Sequence, residues 1–439
     1  MRVPIVAPGV VLAGAALGGV VTLVTLLPGP VGLAAAISVL CAGAFLLWPW
    51  AVLPVGIVGG AVVGALLSGG EVRGYIAVKV LLLAAGGTAL AVRHWLGVEQ
   101  RGTRRTAADV GMLVLVGSTV VAAAYGLAVG NQPAEVLVAA YQVATIPVYF
   151  FVATHTLTTP RRILAAGILY VVLAGVFTVI SVATPGRHGG LITLMAIPAL
   201  IWIAGRVRGW RRAGALLLGG FFAVDVLLAS YRGIWLAAAL TGLIMLIRGG
   251  RTVRTGLAAT AAVAVAVAAV LALQPGVRER ATEITKGFEQ SAGYRGVESE
   301  VGLGVFADQP LVGAGLGQTT PDIYLSGFTF TDVGPVYHAF YVTVLANLGL
   351  VGLLLVLWPI LRGIRVGLRG RDGIALPFAA LSCGFLAAAF FAAPTDGHWE
   401  LGLLPALTLL TAQHEGARLR RPARPPLPGG ALTRTGVAA

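Results

Sequence analysis

Apolar runs of bilayer length follow one another through most of this chain, separated by short turns rich in arginine. Leu257 to Leu273 is one such run and holds no charged residue. A helical span needs about 20 apolar residues. Lipid offers no partner to an unpaired backbone group, so only helices and closed barrels cross it. A barrel strand alternates apolar and polar positions, and 257–273 does not. Only 11% of the residues are charged and 57% are hydrophobic, whereas a soluble domain keeps about a quarter of its residues charged. A soluble protein is excluded. The chain reads as an all-α polytopic membrane protein with about fourteen transmembrane helices. About eleven of these fall in residues 1–273 and about three in 338–413, with the first helix retained and not cleaved as a signal peptide. Cys41 and Cys383 lie inside apolar runs and read as small buried hydrophobes.

One polar stretch, 274–337, interrupts this pattern. Eight of the seventeen acidic residues fall in it: Glu279, Glu283, Glu289, Glu298, Glu300, Asp308, Asp322 and Asp332. It also carries Arg295 and the run Gly313-Ala314-Gly315-Leu316-Gly317. Val277, Ala281, Ile284 and Phe288 share one helical face, and Val297, Val301 and Val305 share another. Two short amphipathic helices resting on the membrane are expected, then a glycine turn that lets backbones approach closely. The glycine run lacks the Lys-Ser/Thr of a phosphate-binding P-loop.

The net charge of +14 raises the question of nucleic acid, but its distribution answers it. Arg101, Arg104, Arg105, Arg161, Arg162, Arg206, Arg208, Arg211, Arg212, Arg248, Arg251, Arg254, Arg362, Arg365, Arg369 and Arg371 fall in loops on one side of the expected spans. By the positive-inside rule that side is cytoplasmic, and no nucleic-acid partner is needed. Both termini then lie in the cytoplasm and 274–337 lies outside it, in the large extracytoplasmic loop of an inner (plasma) membrane protein. Residues 414–439 form a basic, Pro-rich tail expected to be disordered and to meet anionic membrane lipids.

Three residues stand out for chemistry. Arg232 sits at a helix break in Ser230-Tyr231-Arg232-Gly233, where a guanidinium either snorkels to the interface or clamps a phosphate bidentately. Asp225, seven residues earlier, is about two turns away on roughly the same face if one helix runs through. Arg295 is either a solvated loop charge, paired with Glu298 or Glu300, or an anion ligand. His338 opens an apolar helix and is either a passive interfacial residue or a proton acceptor. Lys79 lies about one turn inside an apolar run, where a cation is a functional candidate unless it snorkels outward. Arg73, Lys79, Asp225, Tyr294 and Tyr337 are expected to bind substrate. Asp396, His398 and Glu400 are metal-ligand types, but alternate positions do not share a helical face, so no metal site is expected.

In chain order these pieces resemble a family. Ser230-Tyr231-Arg232-Gly233, Arg295, Pro310 to Gly317, His338 and Leu348-Gly349-Leu350-Val351-Gly352 are similar to motifs of the O-antigen ligase and Wzy-type polysaccharide polymerase family. The resemblance covers roughly residues 225 to 360. It implies a membrane glycosyltransferase without cofactor, moving a glycan from an undecaprenyl-diphosphate carrier to the hydroxyl of a glycan or lipid-glycan acceptor. It also implies inversion at the anomeric centre, with Arg232 and Arg295 on the diphosphate in place of a metal and His338 as base. One departure is Ala339, where the family commonly has Asn. If that Asn orients the histidine or the acceptor, another group must do so here. Two other classes compete: a flippase for lipid-linked oligosaccharides, and a non-catalytic partner in a cell-envelope synthesis complex. A flippase has no use for paired Arg and His on one side. A docking protein would tolerate substitution of all three.

Overall fold

The computed structural model of the chain describes residues 30–62, 72–97, 105–183, 190–229, 232–271, 273, 288–319, 323–325, 328–330, 337–370, 373–391 and 397–419. Residues 1–29, where the retained first helix is expected, the Val277–Phe288 face up to residue 287, and the tail beyond 419 lie outside them.

Helices make up nearly all of it. In chain order they are α1 (Pro30–Leu47), α2 (Pro49–Val62, opening with a 3-10 turn and carrying a π turn at Val55–Gly59), α3 (Val72–Trp95), α4 (Asp109–Ala128), α5 (Pro133–Thr156) and α6 (Pro160–Ala183). Then come α7 (Gly190–Ala204), α8 (Trp210–Leu228), α9 (Arg232–Arg248), α10 (Arg251–Leu271), α11 (Phe288–Asp308), α12 (Phe340–Gly367), α13 (Ala375–Ala388) and α14 (Trp399–Leu419). A two-stranded antiparallel hairpin, β1 (Ile323–Leu325) with β2 (Phe328–Phe330), lies between α11 and α12, pairing Tyr324 with Thr329.

Local chemistry starts several helices. Pro133 stands in the first turn of α5, where its missing N–H costs nothing. At the start of α4, Thr106 donates twice to the Asp109 carboxylate, from its N–H to Oδ2 at 3.0 Å and from its hydroxyl to Oδ1, and its hydroxyl accepts the Ala108 N–H at 3.2 Å.

Among the described residues, five helices are long and apolar enough to cross a membrane: α4, α5, residues 160–180 of α6, residues 251–270 of α10, and α12. Three shorter apolar ones are Pro49–Val62, Gly190–Ala204 and Ala375–Ala388. Large aliphatic side chains stand exposed along α4 (Val110, Leu113, Val121) and α6 (Leu164, Ile168, Val179). In water that surface would be an association hazard; against hydrocarbon it is the ordinary outer face of a bundle. The protein is a helical membrane protein.

The bundle has two chemically different ends. At one, Arg248 donates to the Leu368 carbonyl at 2.6 Å, Gln413 to the Arg105 carbonyl at 3.2 Å, and the Ile374 N–H to Glu415 at 2.7 Å. These contacts gather the arginine-bearing ends of α9 and α12 with the end of α14 and the approach to α4. The opposite ends of α9, α12, α13 and α14 carry Arg232, His338, Ala389 and His398.

A knot of backbone holds that second end to the bundle. Gly349 interrupts α12 with φ 65° and ψ −167°, and the loop after α11 fills the gap. Leu350 N–H bonds to the Pro310 carbonyl (2.9 Å), Val351 N–H to Leu311 (3.1 Å), and Ala314 N–H to Ala346 (2.8 Å). The carbonyls of Pro310 and Leu311 thus stand in for partners the break removes. Irregular backbone is tolerated in a membrane protein under that condition. The loop then reaches α4 and α5, with Leu316 N–H on Ala122 (3.2 Å) and Asn131 on the Leu316 carbonyl (2.9 Å). Gly313 has φ 71°, and a Cβ there would meet the backbone of Asn347 and Leu348 at 2.5 Å. The run is the close-approach turn its composition predicts, not a phosphate cradle.

Candidate active site

The site begins with how α11 docks. Val297, Val301 and Val305, one face of that helix, pack on Tyr337, Ala339, Val342 and Ala346. The predicted apolar stripe is therefore real, but it covers the head of α12 and does not rest on the membrane. The helix is longer than expected: α11 runs unbroken from Phe288 to Asp308, and Arg295 lies on it, not in a loop. At Gly302 a side chain would strike Val342 and Tyr337, so the missing Cβ sets how closely the two elements meet. The turn into α12 is pinned by Thr343, whose hydroxyl accepts from Tyr337 N–H at 3.0 Å.

Docking brings a carboxylate to the histidine. Glu298, buried and next to Val297, places Oε2 at 2.5 Å from His338 Nδ1 and at 3.2 Å from the His338 backbone N–H. His338 itself remains open, with 41% of its side chain exposed. One turn back on the same helix, Arg295 donates to the Phe391 carbonyl at 3.2 Å, and Phe340 N–H bonds to Ala389 at 2.9 Å. Both elements therefore converge on the end of α13. So does α9: Thr241 donates to the Ala380 carbonyl at 3.3 Å, and Gly384 packs on Ala237. Those pairs set α9 and α13 antiparallel, which carries Arg232 to the level of Ala388 and Ala389. Two guanidiniums and one imidazole, from α9, α11 and the start of α12, gather at one end of the bundle.

Residues 213–357 match the family model described as O-antigen ligase. The matched region covers about a third of the chain, and over it the chain is similar to O-antigen ligases. No curated protein matches the chain. The matched region begins on α8, ends within α12, and includes Arg232, Arg295, Glu298, His338 and the Gly349 crossing.

The remaining expected residues are placed differently. Asp225 does not share a helix with Arg232, because α8 ends at Leu228 and α9 starts at Arg232. Its carboxylate is buried and accepts from Thr193 Oγ1 at 2.9 Å on α7. Lys79 does not snorkel outward: it is 1% exposed, with its amine 5.6 Å from the centroid of the Trp399 ring. Tyr337 is buried in the seam under α11, where it holds the helix in place. The side chains of Arg73 and Tyr294, and residues Ser230, Tyr231 and Asp396, lie outside the described ones.

His398 and Glu400 do meet, with His398 Nδ1 2.8 Å from Glu400 Oε1. The helical-face objection fails because His398 precedes α14, in a turn that Gly397 makes with φ 79°. Among the described residues no three metal-ligand side chains gather. Glu298 is the functional residue that sequence reasoning missed. It was visible only as a counter-ion for Arg295, and its real partner is forty positions away.

Proposed function

We propose that the protein joins a glycan, carried on undecaprenyl diphosphate, to an acceptor hydroxyl at the extracytoplasmic face of the membrane. The observation that carries this reading is the open imidazole of His338, held by Glu298 beside the α13 end on which Arg295 and Arg232 converge. His338 Nε2 takes the proton of the acceptor hydroxyl as its oxygen attacks the anomeric carbon. The bond from that carbon to the diphosphate oxygen breaks, and its electron pair leaves with the lipid diphosphate. Arg232 and Arg295 offset the charge that develops there, the electrostatic part of the reaction. Attack opposite the leaving group inverts the anomeric centre. The arginine-bearing end of the bundle is cytoplasmic by the positive-inside rule, so the site end faces out. A donor held by a lipid tail reaches such a site laterally, at headgroup depth.

The test uses protein reconstituted with a synthetic undecaprenyl-diphosphate oligosaccharide. Wild type forms glycosidic bonds, and His338→Ala, Arg232→Ala and Arg295→Ala each lose turnover while still inserting. Full activity in all three sinks the proposal. Passage of intact donor across the vesicle without bond formation supports a flippase instead.

A further inference from the structure

We infer that Glu298 is the positioning residue of His338, filling in this chain the place left by Ala339. This rests on the reading of His338 as base. Ala339 is the N-cap of α12, with extended backbone (φ −100°, ψ 117°) and no side-chain hydrogen bond. A methyl group there can neither cap the helix nor orient its neighbour. Glu298 reaches the same turn from α11 instead. Its Oε2 accepts the His338 backbone N–H, so that oxygen acts as an acceptor toward the ring as well, and Nδ1 carries the proton. The lone pair of the neutral imidazole is then on Nε2, the nitrogen that would take the acceptor proton. Once Nε2 is protonated, the carboxylate faces an imidazolium and stabilises it. In the serine-protease triad a carboxylate does the same for its histidine.

The donor of this carboxylate is as informative as the bond. Arg295 and Glu298 are three residues apart on α11, and Val297, Val301 and Val305 seat that helix. One docked helix thus delivers both a ligand for the leaving group and the group that selects the base tautomer.

The experiment is ¹⁵N NMR of the histidine-labelled full chain in lipid, with His338→Ala to assign the signal, alongside steady-state kinetics on the synthetic donor. The wild-type ring shows the Nδ1–H neutral tautomer, and Glu298→Gln loses that preference. Glu298→Gln also lowers kcat by about 10²-fold or more with donor KM unchanged. An Nε2–H tautomer in wild type overturns the inference and requires no variant to fold. So does a Glu298→Gln enzyme with wild-type kcat, or one whose loss lies in KM. If His338→Ala keeps full turnover, the proposed function fails. If it is inactive while Glu298→Gln is not, only this inference fails.

Discussion

Two histidine–glutamate pairs stand among the described residues. His338 and Glu298 come from different helices, forty residues apart, and the imidazole is open to the outside. His398 and Glu400 are two residues apart, and their side chains are 4% and 3% exposed. Phe340, two residues after His338, places its ring centroid 4.1 Å from that of His398. Around the inner pair, His398 Nε2, Trp399 Nε1 and Glu400 Oε2 are buried with no hydrogen-bond partner among the described residues. The first pair lies inside the region that matches the O-antigen ligase model and the second outside it. What separates them is access: the side chain of His338 is 41% exposed and that of His398 is 4% exposed. The inner pair is fixed in the packing between α5, α12 and α14, where Trp399 also meets the ring of Tyr149.

Substitutions can break this comparison in order of expected effect. His338→Ala should lower turnover by about 10³- to 10⁴-fold, the upper part of what a positioned base contributes. Arg295→Ala should cost about 10²- to 10³-fold in kcat, by loss of charge stabilisation on the departing diphosphate. Both are read as product formed from a lipid-linked donor. Glu400→Ala should do the opposite, sparing kcat and costing stability. Removing one partner of a buried pair costs about 3–5 kcal/mol, measured as a drop in unfolding midpoint in detergent. A kcat loss for Glu400→Ala as large as that for Arg295→Ala would erase the distinction between the pairs. Gly313→Ala should destabilise by about 1–3 kcal/mol, since an L side chain at that backbone conformation is strained. It should leave the His338 tautomer unchanged, which NMR can check.

Much of the site was legible in the sequence because its parts are local. A helix break at 229–231 shows in Ser230 and Gly233, and a close backbone crossing shows in three alternating glycines. The valine stripe at 297, 301 and 305 announced a buried helical face. Sequence could not say what that face covers, and the expected lipid is not its partner; the face packs on the turn at Tyr337 and Ala339 and on Val342 and Ala346 of α12. Glu298 stayed hidden for the same reason, since its value depends on the docking of α11 and not on its neighbours. Helical periodicity misled twice. It tied Asp225 to Arg232 across a break, and it parted His398 from Glu400 although only one of them lies in the helix. Burial of Lys79 was equally illegible, because the Trp399 ring that receives it lies more than three hundred residues away.

The central claim is that the end of the bundle built by α9, α11 and α12 breaks a glycosyl–diphosphate bond. The most direct measurement counts lipid product. In vesicles holding purified wild type and the synthetic donor, each glycosidic bond formed should release one undecaprenyl diphosphate. His338→Ala should bind the donor and release none. Equal release by wild type and His338→Ala would contradict the account, as would donor that crosses the membrane with its diphosphate linkage intact.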